Sequence, residues 1–179
     1  VIEPTIQGLA KEGIDYTGVL YAGLMIGADG VARVIEYNCR LGDPETQPVL
    51  MRLQSDIVSL FEAALDGTLS DEMVQWDPRV ALGVVMAAGG YPMAYRGGDA
   101  IAGLDDSDDA SKVFHAGTRE ENGEVLTAGG RVLCVCALGD SVAAAQCAAY
   151  TRVAQINWND VYYRHDIGHR AIAREKLQR

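Results

Sequence analysis

The stretch Val34-Ile35-Glu36-Tyr37-Asn38-Cys39-Arg40-Leu41-Gly42-Asp43-Pro44-Glu45-Thr46-Gln47-Pro48 begins as a β-strand and ends in a turn. Alternation along it puts Val34, Glu36 and Asn38 on one strand face and Ile35 and Tyr37 on the other. Glu36 and Asn38 then offer two oxygen ligands from one face, a spacing suited to a hard divalent cation. Such a cation often takes only one or two protein oxygens and fills its octahedron with waters and phosphates. Arg40 joins the same face if the strand continues, bringing a fixed positive fork near carboxylates or phosphates. Gly42-Asp43-Pro44 reads as a tight turn in which glycine lets the backbone approach a ligand closely. A Glu36–Arg40 salt bridge at a strand end accounts for the same residues, and spacing alone leaves both readings open.

Upstream, Val19 to Ile26 is a nearly continuous apolar run, the pattern of a strand covered on both faces. Gly27-Ala28-Asp29-Gly30 supplies turn chemistry and Val31 to Asn38 resumes the β pattern, so the segment predicts a hairpin. Downstream, Leu50, Leu53, Ile57, Leu60, Phe61 and Ala64 fall at helical spacing. They predict one helix from Val49 to Leu65, stopped near Gly67. Thr68 to Arg79 is polar and punctuated by Trp76-Asp77-Pro78, which marks the expected domain boundary.

The remainder predicts a second, β-rich unit. Val80 to Ala88 and Arg131 to Leu138 read as apolar strands. Lys112 to Gly117 and Glu124 to Thr127 read as shorter ones around an Asn122-Gly123 turn. Ser141 is placed to cap a helix running to about Ile156. The acidic run Asp105-Asp106-Ser107-Asp108-Asp109 lacks the glycine and terminal glutamate of an EF-hand and reads as a solvated loop. His165 and His169, four apart, have the spacing of two metal ligands on one helix face, but no third ligand stands at a matching spacing. Tyr91, Tyr95, Trp158, Tyr162 and Tyr163 read as packing residues.

At 179 residues the chain has room for one full domain or two small ones. A 49% apolar fraction and 22% charged residues argue against global disorder. The net charge of −10 argues against nonspecific binding to nucleic acid or anionic lipid. No apolar run is long enough to span a membrane, and no signal-peptide pattern opens the chain. Cys39, Cys134, Cys136 and Cys147 form no Cys-x-x-Cys pair, and read as buried thiols of a reducing cytoplasm. The first residue is Val1 rather than Met, which suggests a piece of a longer protein.

Arg40-Leu41-Gly42-Asp43-Pro44-Glu45-Thr46-Gln47 resembles the signature of the phosphoribosylamine–glycine ligase family, the glycinamide ribonucleotide synthetases. The resemblance continues in Val1-Ile2-Glu3-Pro4-Thr5, Tyr16-Thr17-Gly18, Leu20-Tyr21-Ala22-Gly23-Leu24, and Gly83 to Pro92. It extends through Val113-Phe114-His115-Ala116-Gly117-Thr118, Gly129-Gly130-Arg131-Val132-Leu133 and Arg164-His165-Asp166-Ile167-Gly168. It covers essentially the whole chain, and matches only the C-terminal part of such a ligase.

The resemblance implies an α+β chain: residues 1–76 as the final portion of an ATP-grasp α/β lobe, and 77–179 as a small β-rich C-terminal domain. It implies that ATP phosphorylates the carboxylate of glycine to glycyl phosphate. The amine of 5-phosphoribosylamine then attacks, giving glycinamide ribonucleotide, ADP and phosphate in purine synthesis. By motif position, Glu36 and Asn38 would hold Mg²⁺ or Mn²⁺ against the ATP phosphates, and Arg40 would stabilise the transferring phosphoryl group or the acyl phosphate. Gly42, Asp43, Pro44 and Glu45 would border the glycine pocket. Arg164 and Asp166 would fix the C-terminal domain. Many ATP-grasp enzymes carry another metal carboxylate on the preceding strand, but Val19 to Ile26 contains no acid. No phosphate-cradling Gly-rich motif is present either, so an N-terminal part of the same enzyme is the implied partner. Alternatives are another ATP-grasp carboxylate–amine ligase, or a noncatalytic module that keeps the fold.

Overall fold

A computed structural model describes residues 1–104 and 110–177. The acidic run Asp105–Asp109 lies outside the described residues. The chain divides into two compact units, one made of 1–46 with 55–75, the other of 47–54 with 76–179.

The first unit contains helix α1 (Ile2–Lys11), strands β1 (Tyr21–Ile26) and β2 (Ala32–Asn38), helix α3 (Ile57–Leu65) and a single 3₁₀ turn at Asp71–Met73. The strands form the expected antiparallel hairpin. Asp29 holds its turn by accepting the Val31 N–H at 3.0 Å and two bonds from Arg33, whose guanidinium keeps the Asp29 carboxyl below the usual range. Tyr37 shares a 2.6 Å hydroxyl contact with Thr5 of α1. The apolar run of β1 was expected to be covered on both faces, yet Leu24, Met25 and Ile26 are exposed, Ile26 at 64%. The physical reason is that among the described residues this sheet has two strands, and a two-stranded ribbon cannot bury both faces.

The expected helix from Val49 to Leu65 is two helices, α2 (Thr46–Arg52) and α3. The interruption has local causes. Asp56 caps α3 by accepting the Ser59 N–H at 2.8 Å. Ser55 donates to the Met73 carbonyl and accepts from the Gln75 N–H, both at 2.7 Å, which draws the chain out of helical geometry. At the other end, Gly67 sits at φ +68 where the helix terminates as expected.

The second unit is built on a four-stranded antiparallel sheet in the order β4 (Ser111–His115), β7 (Arg131–Gly139), β3 (Val80–Ala87), β8 (Tyr162–Tyr163). Leu82, Val84 and Met86 of β3 lie opposite Ala137, Val135 and Leu133 of β7 and share one face with them. That face joins the core formed with Ala145, Ala149 and Val153 of helix α4 (Val142–Val153). Each large apolar side chain sealed there contributes about 1.5–3 kcal/mol. A Cβ on Gly139 would lie 2.4 Å from the Ala145 nitrogen, so glycine lets the chain turn straight from β7 into the helix. Ser141 caps α4 as expected, accepting the Ala144 N–H at 3.1 Å. On the opposite face Cys134 and Cys136 bring their sulfurs to 3.6 Å beside Gly83. The hydrogen bond with Cys134, then burial, push the Cys136 thiol far above its ordinary value. Cys39 and Cys147, expected to be buried, are exposed.

The Asn122-Gly123 turn is present, with φ of +53 and +82, but its strands are β5 (Thr118–Glu121) and β6 (Glu124–Thr127). The segment from Lys112 that was expected to pair across this turn is β4, which pairs with β7 instead. Of two further helices, α1 carries an apolar period in Ile2, Ile6 and Leu9, whereas the C-terminal α5 (His169–Leu177) is dominated by charged residues. Helix α5 is tied down by Glu175, which accepts the Val142 N–H at the start of α4 at 3.0 Å. His165 and His169 do not meet on a helix face: His165 lies before α5 and packs on the Tyr163 ring at 4.7 Å, while His169 is the first residue of α5, its Nδ1 2.7 Å from the Asp166 carbonyl oxygen. Among the described residues no group of three or more metal-ligating side chains occurs. Arg164 and Asp166 pair with each other in the open. The anchoring of this segment runs instead through its backbone, bonded to the Tyr150 hydroxyl and the Gln146 amide. Trp158 is buried, whereas Tyr162 is 58% exposed. No helix among the described residues is long and apolar enough to cross a membrane.

Asp77 ties the second unit together where β3 begins. Its N–H donates to the Arg52 carbonyl at the end of α2 at 2.7 Å, and Arg52 Nε donates to its carbonyl at 3.0 Å. Its carboxylate accepts the backbone N–H of Arg79 and that residue's guanidinium, which lower its pKa to about 2 from 3.8. The folded value lies below the unfolded one, so the contribution is complete above about pH 4 and fades as pH falls toward 2. Asp77→Asn is therefore expected to melt below the parent chain above pH 4, with the gap closing between pH 4 and pH 2. Thermal melts across that range check this.

Candidate functional site

The end of β2 is shaped by a β-bulge. The register pairs Gly23 with Glu36 but Leu24 with Val34, so Ile35 is the extra residue. Directly paired residues share a face, so the bulge separates Val34 from Glu36. The expected Val34-Glu36-Asn38 stripe is therefore corrected: Glu36 and Asn38 share the face of Gly23 and Tyr21, and Val34 goes with Leu24. Glycine at 23 makes room, since a Cβ there would lie 3.1 Å from Glu36 Cγ.

Asn38 Nδ2 donates to Glu36 Oε1 at 3.0 Å. The two side chains therefore meet, and the bond leaves Asn38 Oδ1 and Glu36 Oε2 outside it. The strand stops at Asn38, so Arg40 does not continue its face as expected. Arg40 Nη1 instead donates to the neighbouring Leu41 carbonyl at 2.9 Å. No Glu36–Arg40 ion pair is formed among the described contacts.

The following turn folds back onto the ribbon. Thr46 binds the Gly42 carbonyl with both its N–H, at 3.0 Å, and its hydroxyl. The Asp43–Pro44 peptide is cis. Gly42 is buried, Pro44 half-buried, and Asp43 and Glu45 exposed. Tyr21 donates its hydroxyl to Glu45 Oε1 at 3.3 Å. The Coulomb field of Glu45 is the main reason the Tyr21 phenol is raised above its ordinary value; burial, the Glu45 hydrogen bond and Glu36 add to it and Arg40 opposes it. Glu36, Arg40 and Glu45 are thus within electrostatic reach of one phenol.

The structure therefore brings Glu36, Asn38, Arg40, Gly42 and Glu45 together around Tyr21 and Gly23, two residues the sequence reading did not single out. An unbulged hairpin counted back from the Gly27–Gly30 turn would place Tyr21 opposite Tyr37; the bulge moves it opposite Asn38. The Leu20-Tyr21-Ala22-Gly23-Leu24 run was visible as a match, but its place at the site was not.

Residues 81–170 match the model of the phosphoribosylglycinamide synthetase C domain, and residues 1–46 match that of the ATP-grasp (A) domain of the same synthetase. The chain belongs to the phosphoribosylglycinamide synthetase family. Within this family it is 63% identical over 177 residues to a phosphoribosylamine–glycine ligase of Allochromatium vinosum, covering 98% of this chain and 41% of that relative. The ligase of Pseudomonas aeruginosa is 56% identical over 177 residues, with the same coverage. The crystal structure of the Thermotoga maritima phosphoribosylamine–glycine ligase superposes with a TM-score of 0.78 at 36% identity, covering 91% of this chain and 40% of that one. The chain spans about two fifths of the length of these relatives. The residues around Tyr21 all fall within the ATP-grasp match of the synthetase family.

Gly42 is the most confined position of the site. A Cβ there would lie 2.5 Å from Glu45 Oε2, 2.9 Å from Tyr21 Cε2 and 3.0 Å from Glu45 Cβ. Gly42→Ala should cost about 1–3 kcal/mol of stability through this overpacking. It should also displace the Glu45 carboxylate. Urea unfolding of parent and variant measures the first effect, and a crystal structure of the variant the second.

Proposed function

We propose that this chain supplies the C-terminal part of a phosphoribosylamine–glycine ligase, with residues 1–76 completing its ATP-grasp lobe and 77–179 forming its C-terminal domain. The observation that carries the reading is the meeting of Glu36 and Asn38 on one strand face, beside the Gly42–Glu45 turn, inside the synthetase match. The reaction joins the carboxylate of glycine to the amine of 5-phosphoribosylamine through glycyl phosphate, at the expense of ATP.

The donor set fits a hard divalent cation, Mg²⁺ or Mn²⁺: one carboxylate and one amide oxygen, both on a strand end open to solvent. Such a cation, when bound with ATP, supplies the charge neutralisation that phosphoryl transfer between anions requires. Glu36 and Asn38 would hold it. Arg40, two residues past the strand end, would stabilise charge on the transferring phosphoryl group. Gly42, Asp43, Pro44 and Glu45 would line the acceptor pocket, with Gly42 allowing the backbone to come close.

The exposed apolar residues of the ribbon, Leu24, Met25, Ile26, Val34 and Ile35, support a partner in the N-terminal part of the same enzyme, which would cover them. A cytoplasmic setting suits the reading, as does the survival of unbridged cysteines.

The test joins this chain to the N-terminal part of the Allochromatium vinosum relative, in place of that relative's matching 177 residues. With ATP, Mg²⁺, glycine and fresh phosphoribosylamine, the joined polypeptide should release ADP in a glycine-dependent way. This chain alone should not, because positioning and electrostatic preorganisation carry phosphoryl transfer and half a clamp supplies neither. ADP release by the chain alone, or its absence from the joined polypeptide, would refute the reading.

The same assay checks the metal pair. Glu36→Gln in the joined polypeptide should lower turnover by about a hundredfold or more, the scale seen when one electrostatic contact to developing charge is lost. It should raise the Mg²⁺ concentration needed while leaving the melting temperature within a few degrees. Kinetics over a Mg²⁺ titration, alongside a thermal melt, separates these effects.

A further inference from the structure

Tyr21 stands where the two halves of the candidate site meet. It is paired across the ribbon with Asn38, the edge of its ring faces the space a Gly42 Cβ would fill, and its hydroxyl donates to Glu45 Oε1 at 3.3 Å. One side chain of β1 thus touches both the strand end that carries the proposed cation ligands and the turn that carries the proposed acceptor pocket. Glu45 is otherwise an exposed carboxylate on a loop, with several rotamers open to it. The Tyr21 bond selects one, in the space that glycine at 42 leaves open.

We propose that Tyr21 is a positioning residue that fixes the Glu45 carboxylate so that it takes the cationic amino group of the amino-acid substrate, and so sets the affinity for that substrate rather than for the nucleotide. This rests on the ligase reading above. The chemistry is direct: an amino acid carries an ammonium, and a carboxylate of fixed orientation is its natural acceptor. The ring supplies shape, the hydroxyl supplies direction, and only the hydroxyl is removed in Tyr21→Phe.

Two measurements test it. In this chain, the ¹³Cδ NMR signal of the Glu45 carboxylate at neutral pH reports on the bond it accepts from the Tyr21 hydroxyl at 3.3 Å. Tyr21→Phe should shift that signal. An unmoved signal would overturn the contact.

In the joined polypeptide, Tyr21→Phe should raise KM for glycine about five- to tenfold, the scale of one hydrogen bond to a charged group. KM for ATP, kcat and the melting temperature should stay close to the parent values. In a Glu45→Gln background the same substitution should add less than about twofold, because its partner is already changed. Equal effects in both backgrounds, or a uniform loss of kcat with no change in KM, would overturn the positioning role. Absence of glycine-dependent ADP release from the unsubstituted polypeptide would overturn the ligase reading and the kinetic role with it, while the Glu45 carboxylate signal would still decide whether Tyr21 holds Glu45.

Discussion

Strand β7 is buried on both faces from Val132 to Ala137, and the C-terminal unit is arranged around that constraint. A strand sealed in this way must have its backbone N–H and C=O groups paired, and β3 on one side and β4 on the other supply the partners. Its side chains must also be met at packing distance. On the α4 face this is done by placing alanines at the helix positions of closest approach, Ala145 and Ala149, both fully buried. Gly139 is the corollary, because any larger residue would hold the helix away from the strand it follows. On the other face, glycine at 83 leaves room for the Cys134 and Cys136 sulfurs.

The N-terminal ribbon obeys a different constraint. With two strands and most of its apolar side chains in the open, it lacks the burial that fixes β7. What shapes it is local: the Asp29 turn at one end, the bulge at Ile35, and the Gly42 carbonyl clasped by Thr46 at the other. The bulge matters most for chemistry. By inserting one residue it turns Glu36 and Asn38 onto the face of Gly23 and Tyr21, where glycine leaves space and the phenol reaches Glu45. Without that insertion the same side chains would face the other way, since a slip of one residue exchanges strand faces.

Features carried by strong local chemistry were legible in the sequence. The β3 and β7 runs, the Ser141 cap, the Gly67 stop and the Asn122-Gly123 and Gly27–Gly30 turns all depend on residues within a few positions of one another. The misreadings share a different origin. The period from Leu50 to Ala64 continues unbroken through Ser55, but Ser55 is engaged by Met73 and Gln75, far along the chain. Strand β5 reads Thr-Arg-Glu-Glu, with no apolar residue to announce it, and it exists because β6 pairs with it. Helix α5 is strongly charged and is held by one carboxylate on the N-terminus of another helix. At the site, Glu36, Asn38 and the Gly42 turn were readable as residue types. Tyr21 was not, because its position opposite Asn38 depends on a bulge with no sequence marker.

On the ligase reading, the number of oxygens is itself informative. Glu36 and Asn38 provide one carboxylate and one amide, and the preceding strand adds no acid between Val19 and Ile26. A hard divalent cation takes more oxygens than these two, and nucleotide phosphates would be among the others. Glu36 and Asn38 would hold such a cation, and its charge neutralisation would serve phosphoryl transfer. The amide contributes no charge, so these two side chains would neutralise only part of a dication. A second carboxylate in place of Asn38 would bind the free cation more tightly and reduce the positive field available to the transferring phosphoryl group. The Asn38–Glu36 hydrogen bond suits this division of labour, because it orients the neutral ligand without adding charge.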